Sequence, residues 1–123
     1  MESVFTSIPQ KQWLHQSEYF FIVPDKYPVS DGHLLIVSKR HLHDFFELDG
    51  EEQNELPKLI TKAKTIIEKL HSPSGYNIGM NCGAAAGQTV FHMHCHLIPR
   101  YRGDMQRPEG GVRGVIPGKQ QYG

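Results

Sequence analysis

Phe91-His92-Met93-His94-Cys95-His96-Leu97-Ile98 is the stretch on which both the fold and the chemistry of this chain turn. Apolar residues and histidines alternate through it. Successive side chains on a β-strand point to opposite faces, so the pattern predicts a strand over residues 90–98, closed by Pro99. One face would carry His92, His94 and His96. The other would carry Phe91, Met93, Cys95 and Leu97, an apolar set suited to a core. A single histidine is commonly a satisfied core residue or an exposed one. Three in strict alternation on one face are hard to explain by packing, and they mark a candidate site.

Two chemistries use clustered imidazoles. One is metal coordination, since imidazole suits zinc, copper, iron and nickel. The other is nucleophilic catalysis, in which a ring nitrogen attacks and a covalent intermediate divides a hard step into two. The segment before the strand separates them. Asn81-Cys82-Gly83-Ala84-Ala85-Ala86-Gly87-Gln88-Thr89 offers small residues, backbone N–H groups, amides and a hydroxyl, the equipment of an anion cradle, and no carboxylate for a metal. This favours phosphoryl chemistry. A neutral imidazole, with an ordinary pKa of about 6.5, is nucleophilic near neutral pH. A protonated neighbouring histidine or a backbone amide can neutralise the charge that develops on phosphate.

Further out, Trp13-Leu14-His15 reads as a brief strand, Tyr19 to Val23 as a strand ending at Pro24, and His33 to Ser38 as a strand buried on both faces. Pro28 and Asp31-Gly32 mark turns between the last two. Leu56, Leu59, Ile60, Ala63, Ile66, Ile67 and Leu70 recur at the spacing of one helical face, with Asp49 as the cap, Glu51 and Glu52 in the first turn and Lys69 in the last. Pro57 would start this helix late or kink it. Tyr76 to Asn81 reads as a strand, and the Gly/Pro/Arg-rich tail from Arg100 as irregular. Strands in hairpins around one long helix predict an α+β fold with an antiparallel sheet.

A length of 123 residues suits one domain, taken here as residues 1–123 with an irregular tail over about 100–123. The 13 Lys+Arg balance 13 Asp+Glu, which argues against a general nucleic-acid or membrane binder. Cys82 and Cys95 form no C-x-x-C pair, as expected of a reducing compartment. Met1-Glu2-Ser3-Val4-Phe5 shows no basic or apolar leader pattern, and no apolar run approaches a membrane span, so a cytoplasmic protein is expected.

His92-Met93-His94-Cys95-His96-Leu97-Ile98 matches the signature of the histidine-triad (HIT) family, His-φ-His-φ-His-φ-φ with φ apolar, at every position. Gly87-Gln88-Thr89-Val90 and Gly32-His33-Leu34-Leu35-Ile36-Val37-Ser38-Lys39-Arg40-His41 are also similar to that family. The resemblance implies a HIT-like fold, with an antiparallel sheet of about five strands, one long helix and a short one. It implies His94 as the nucleophile on an α-phosphate, His96 on the phosphate oxygens, His92 as an orienting group, and His33 closing the cluster from the neighbouring strand. Asn81, Gln88 and Thr89 match positions that contact phosphate or the leaving group. Asp25 matches a ribose-hydroxyl acceptor, although after Pro24 it also reads as a turn residue. Purine and ribose would lie against apolar residues such as Phe20, Ile22 or Leu35.

The resemblance also implies a homodimer. It implies no tightly bound cofactor, with a divalent cation accompanying a polyphosphate substrate. Some HIT proteins bind structural zinc through an N-terminal Cys-x-x-Cys. Here Ser3-Val4-Phe5-Thr6 stands in its place, so no such metal site is expected. The tail resembles the bacterial branch named for diadenosine tetraphosphate hydrolysis, where Arg100, Arg102, Arg107 and Arg113 would meet the extra phosphates, the alternative being a solvated, solubilising tail. Hydrolysis of a dinucleoside polyphosphate is therefore the leading expectation. Cleavage of adenosine phosphoramidates and nucleotide sensing without turnover are the alternatives.

Overall fold

The structure, a computed structural model, describes residues 3–122; Met1 and Glu2, part of the segment read as carrying no leader, and Gly123 lie outside the described residues. Five strands form one sheet: β1 (His15–Gln16), β2 (Phe20–Pro24), β3 (Leu34–Ser38), β4 (Gly75–Gly79) and β5 (His94–Arg100). Their spatial order is β1-β2-β3-β5-β4, antiparallel throughout. Helix α1 (Gly50–Glu68) crosses between β3 and β4. It is the single α-helix among the described residues. The short helix that was expected is met only by 3-10 turns such as Phe45–Glu47.

Both faces of the central strands are covered. On one face Phe20, Ile22, Leu34, Ile36, Cys95 and Leu97 pack against Leu56, Leu59, Ala63 and Ile67 of α1. On the other, Phe21, Val23, Leu35 and Val37 pack under Phe5, Ile8 and Trp13 of the N-terminal segment. Trp13 stacks on Phe21 with ring centroids 4.1 Å apart. This two-sided burial explains why β2 and β3 read as near-continuous apolar runs although their sheet is antiparallel. Two of the residues expected to line a nucleotide pocket, Phe20 and Ile22, belong to the α1 side; Leu35 alone is on the other.

α1 begins as expected. The Asp49 side chain accepts from the Glu52 N–H at 2.9 Å and the Glu52 carboxylate accepts from the Asp49 N–H at 2.9 Å, a reciprocal cap. Pro57 neither delays nor ends the helix. It sits on the solvent side, where water can serve the carbonyl that loses its partner. Leu70, expected on the buried face, lies beyond the helix end and is exposed. Glu52 is buried instead, held by Arg40 at 2.7 and 3.0 Å.

The last strand is shorter than its alternation suggests, starting at His94 and running through Pro99 to Arg100. The Ser38 N–H still reaches the Met93 carbonyl at 3.3 Å, but the Met93 N–H donates to the Leu42 carbonyl at 2.8 Å and the Ser38 carbonyl accepts from the His92 ring, which ends the ladder before His92. Among the described residues no helix is long and apolar enough to cross a membrane.

Candidate active site

β5 pairs with β3 so that His94 lies opposite Val37 and His96 opposite Leu35. Both histidines therefore emerge on the face away from α1, while Cys95 and Leu97 fill the core beneath. Both rings line an open cleft of about 1080 Å³. The His94 Nδ1 lies 2.7 Å from the His92 carbonyl oxygen. A carbonyl only accepts, so Nδ1 carries the hydrogen and Nε2 is the lone-pair nitrogen. That nitrogen is the group an attack on phosphorus requires.

The hydrogen on His96 follows from a longer chain of partners. The Val29 N–H donates to His33 Nδ1 at 3.0 Å, which places the His33 hydrogen on Nε2. His33 Nε2 lies 2.9 Å from His96 Nδ1 and donates to it. His96, when neutral, then carries its own hydrogen on Nε2, ready to donate to a phosphate oxygen. Burial drives the His96 pKa down to about 4, with His94 and His33 adding to the fall and Asp25 opposing it. Burial also lowers His33, against Asp25. These rings are neutral near pH 7. His96 thus meets phosphate charge as a fixed hydrogen-bond donor, not as the protonated neighbour that sequence reasoning allowed.

His92 lies just outside the strand and is fully buried. Its Nε2–H donates to the Ser38 carbonyl at 2.7 Å and its Nδ1 accepts from the Ser3 hydroxyl at 2.7 Å. Burial lowers its pKa as well. His41 stacks on it, with centroids 4.6 Å apart. Phe5 meets the His92 and His94 rings edge-on at 5.6 and 4.9 Å. The hold of His92 on His94 is made by its main-chain carbonyl, while its ring ties the N-terminal segment to β3.

The loop before β5 is drawn tight by Gln88. Its Oε1 accepts from the Gly83 N–H at 2.8 Å, and its Nε2 donates to the His43 and Val90 carbonyls at 2.6 and 3.1 Å. The amide expected to touch phosphate is thus engaged within the protein, and it acts on the cleft by shaping the loop. Gly87 closes the turn at φ +93, a conformation side chains rarely adopt. Thr89 and Asn81 are exposed and line the cleft. Asp25 lines it too. One carboxylate oxygen accepts from the Tyr27 N–H at 2.8 Å, the turn role, and the other lies 3.4 Å from His33 and 3.6 Å from His96. Asp25, His33 and His96 are near enough to share a metal ion. The Val29 N–H, however, keeps the hydrogen on the very nitrogen of His33 that a metal would need.

A family model for the HIT domain matches residues 7–103. The chain belongs to the histidine-triad (HIT) family. It is 43% identical over 89 residues to an uncharacterized HIT-like protein of Mycoplasma genitalium, covering 70% of this chain and 61% of that one. It is 33% identical over 106 residues to the AP-4-A phosphorylase of Mycobacterium tuberculosis, covering 81% and 54%. It is 39% identical over 106 residues to a bis(5'-nucleosyl)-tetraphosphatase (asymmetrical) of Schizosaccharomyces pombe, covering 77% and 58%. Among solved structures, a hypothetical histidine triad nucleotide-binding protein of Sulfolobus tokodaii superposes with a TM-score of 0.70 at 35% identity, over 76% of this chain and 62% of that one. The chain thus spans 54–61% of the length of these curated relatives.

Measured against the HIT expectations, the zinc position is unsuited to the metal. Ser3 offers a hydroxyl that is bonded to His92, Thr6 donates its own to the Ser3 carbonyl at 2.8 Å, and both ring nitrogens of His92 have partners. The arginine reading of the tail needs correction. Arg100 is held by Asp104 and Asn77, Arg113 lies over the Tyr122 ring, and none of Arg100, Arg102, Arg107 and Arg113 lines the cleft. Sequence reasoning missed Ser3, Phe5, Val29 and Ser38 as parts of the site. Ser38 and Val29 act through main-chain groups, which no side-chain pattern reveals.

Proposed function

We propose that this HIT domain is a nucleotidyl hydrolase acting on dinucleoside polyphosphates. His94 Nε2 attacks the α-phosphorus and a P–N bond forms. The P–O bond to the remaining nucleoside polyphosphate breaks, and that product leaves with the electron pair. The His96 Nε2–H holds a non-bridging oxygen as its charge grows. Water then attacks the nucleotidyl-imidazole, the P–N bond breaks, the electron pair returns to Nε2 and the water's proton passes to solvent. The observation that carries the reading is the 2.7 Å bond from His94 Nδ1 to the His92 carbonyl, which leaves Nε2 as the lone-pair nitrogen of the neutral ring in the cleft that His96 also lines. The names of two relatives, a phosphorylase of AP-4-A and a tetraphosphatase, favour the tetraphosphate class over phosphoramidates.

A homodimer belongs to the same reading. β4 is one of the two outer strands of the sheet, and Ile78 on it is half exposed, an edge that a second copy would protect.

The deciding experiment is His94→Asn. Turnover of diadenosine tetraphosphate is expected to vanish while nucleotide binding and Tm persist. In the wild type, an acid-labile nucleotidyl adduct trapped during turnover is expected on His94 by mass spectrometry. An adduct on His92 or His96 would overturn the mechanism.

A further inference from the structure

The cleft does not end at the histidines. It continues past Asn77 to the C-terminal segment, where Gly111, Val112 and Val115 form part of its wall. At about 1080 Å³ it reaches the upper end of ligand pockets, which run roughly 300–1,000 Å³. The rim there is unusual in chemistry. Val112 and Val115 are 66% and 77% exposed, and Tyr27 and Val29, which also line the cleft, are 79% and 71% exposed. Large apolar groups left exposed along one cleft mark a binding surface more often than ones scattered over the whole surface do. Among the described residues Lys26 is the one Lys or Arg lining the cleft, and its ammonium lies 5.9 Å from the Tyr27 ring centre.

The segment is braced to hold this shape. The backbone at Gly110 has φ +76, and a Cβ there would stand 2.0 Å from the Gln120 carbonyl oxygen, so the chain closes on itself at a point only glycine permits. The Gln121 amide donates to the Arg107 carbonyl at 3.0 Å, and Arg113 lies 5.0 Å over the Tyr122 ring. Gly111 packs against Asn77 of β4. Such a preformed wall binds without the cost of ordering a loose tail.

We propose that residues 110–116 are an apolar clamp for the second nucleoside of a dinucleoside polyphosphate, the one carried on the leaving group. The proposal rests on the hydrolase reading above. The attacked nucleotide occupies the His94–His96 half, the phosphate chain runs by Lys26, and the far base and ribose lie against Val112, Val115 and Tyr27. The segment therefore selects the length of the substrate by apolar contact, while its one arginine, Arg113, braces the fold against Tyr122.

Calorimetric binding tests this without requiring turnover. The probes are AMP and a non-hydrolysable diadenosine tetraphosphate analogue, titrated into the wild type and into the Val112→Ser/Val115→Ser variant. The wild type is expected to bind the dinucleotide more tightly than AMP. The variant is expected to lose roughly five- to tenfold in dinucleotide affinity, with AMP affinity changed less than twofold. Equal losses for both probes, or no loss for either, would overturn the clamp. So would a selective loss in Arg102→Ala/Arg107→Ala, or a changed solution mass of the valine variant, which would make the valines a contact between copies. Absence of wild-type turnover with the selective binding loss intact would sink the hydrolase reading and leave the clamp standing.

Discussion

Removing His33 should disable the site without touching the nucleophile. The His33 ring does two things: it accepts the Val29 N–H at 3.0 Å and donates to His96 Nδ1 at 2.9 Å. In His33→Leu the Val29 N–H loses its acceptor and a buried imidazole is replaced by a group that bonds nothing. An unsatisfied partly buried donor and the lost bond together cost about 2–3 kcal/mol, which is roughly 6–12 °C in Tm for a domain of this size. The effect on activity has another origin. Without the His33 donor, the Asp25 oxygen 3.6 Å from His96 Nδ1 draws the hydrogen onto that nitrogen. Nε2 then presents a lone pair to the phosphate. Loss of one donor to a developing oxyanion costs about 10²–10³ in kcat. His33→Gln keeps an N–H at a similar reach and an oxygen for Val29, so it should recover much of both losses. The assays are kcat on diadenosine tetraphosphate, nucleotide Kd, and histidine ¹⁵N shifts that read the tautomer. A folded Leu variant within threefold of wild-type kcat, or an Nδ1–H tautomer of His96 in the wild type, would refute the reasoning.

Stability should fall in acid before the carboxylates titrate. His96, His33 and His92 stay neutral in the fold below the pH where unfolded histidine protonates, so the unfolded chain binds more protons. The contribution is complete above about pH 6.5 and is lost as pH falls toward about 4, amounting to at most roughly 3 kcal/mol for His96, as urea melts across that window would show. Arg40→Ala strips the partner from Glu52, which is 1% exposed, and should lower the urea midpoint; the exposed Arg40 head keeps the loss below that of a fully buried pair. Gln88→Ala removes three loop bonds and should raise nucleotide KM more than it lowers kcat, with loss of hydrogen-exchange protection at the Gly83 amide; unchanged protection would refute its role.

The alternation around His94 and the helical spacing of Leu56, Leu59, Ala63 and Ile67 were legible because each is a local period that burial then enforces. The Asp49 cap was legible for the same reason, being complete within four residues. What the sequence hid is long-range. Ser3 meets His92 across 89 positions, and the N-terminal segment carrying it has no periodicity to announce that it covers a sheet face. The start of β5 depends on where the Met93 N–H goes, and it goes to the Leu42 carbonyl, on a loop about fifty residues earlier. The arginines of the tail looked like phosphate ligands because their charge is visible and their partners are not. Arg100 is taken by Asp104 within one turn and by Asn77 from another strand.

The pairing of Val37 with His94 and of Leu35 with His96 ties assembly to chemistry. A slip of one residue between β3 and β5 would turn two imidazoles into the apolar interior and expel Cys95 and Leu97 to the surface. Such a molecule forfeits its core at the same moment as its reactive face. Folding thus acts as its own inspection: a chain that has closed around α1 has, by that act, already set its histidines.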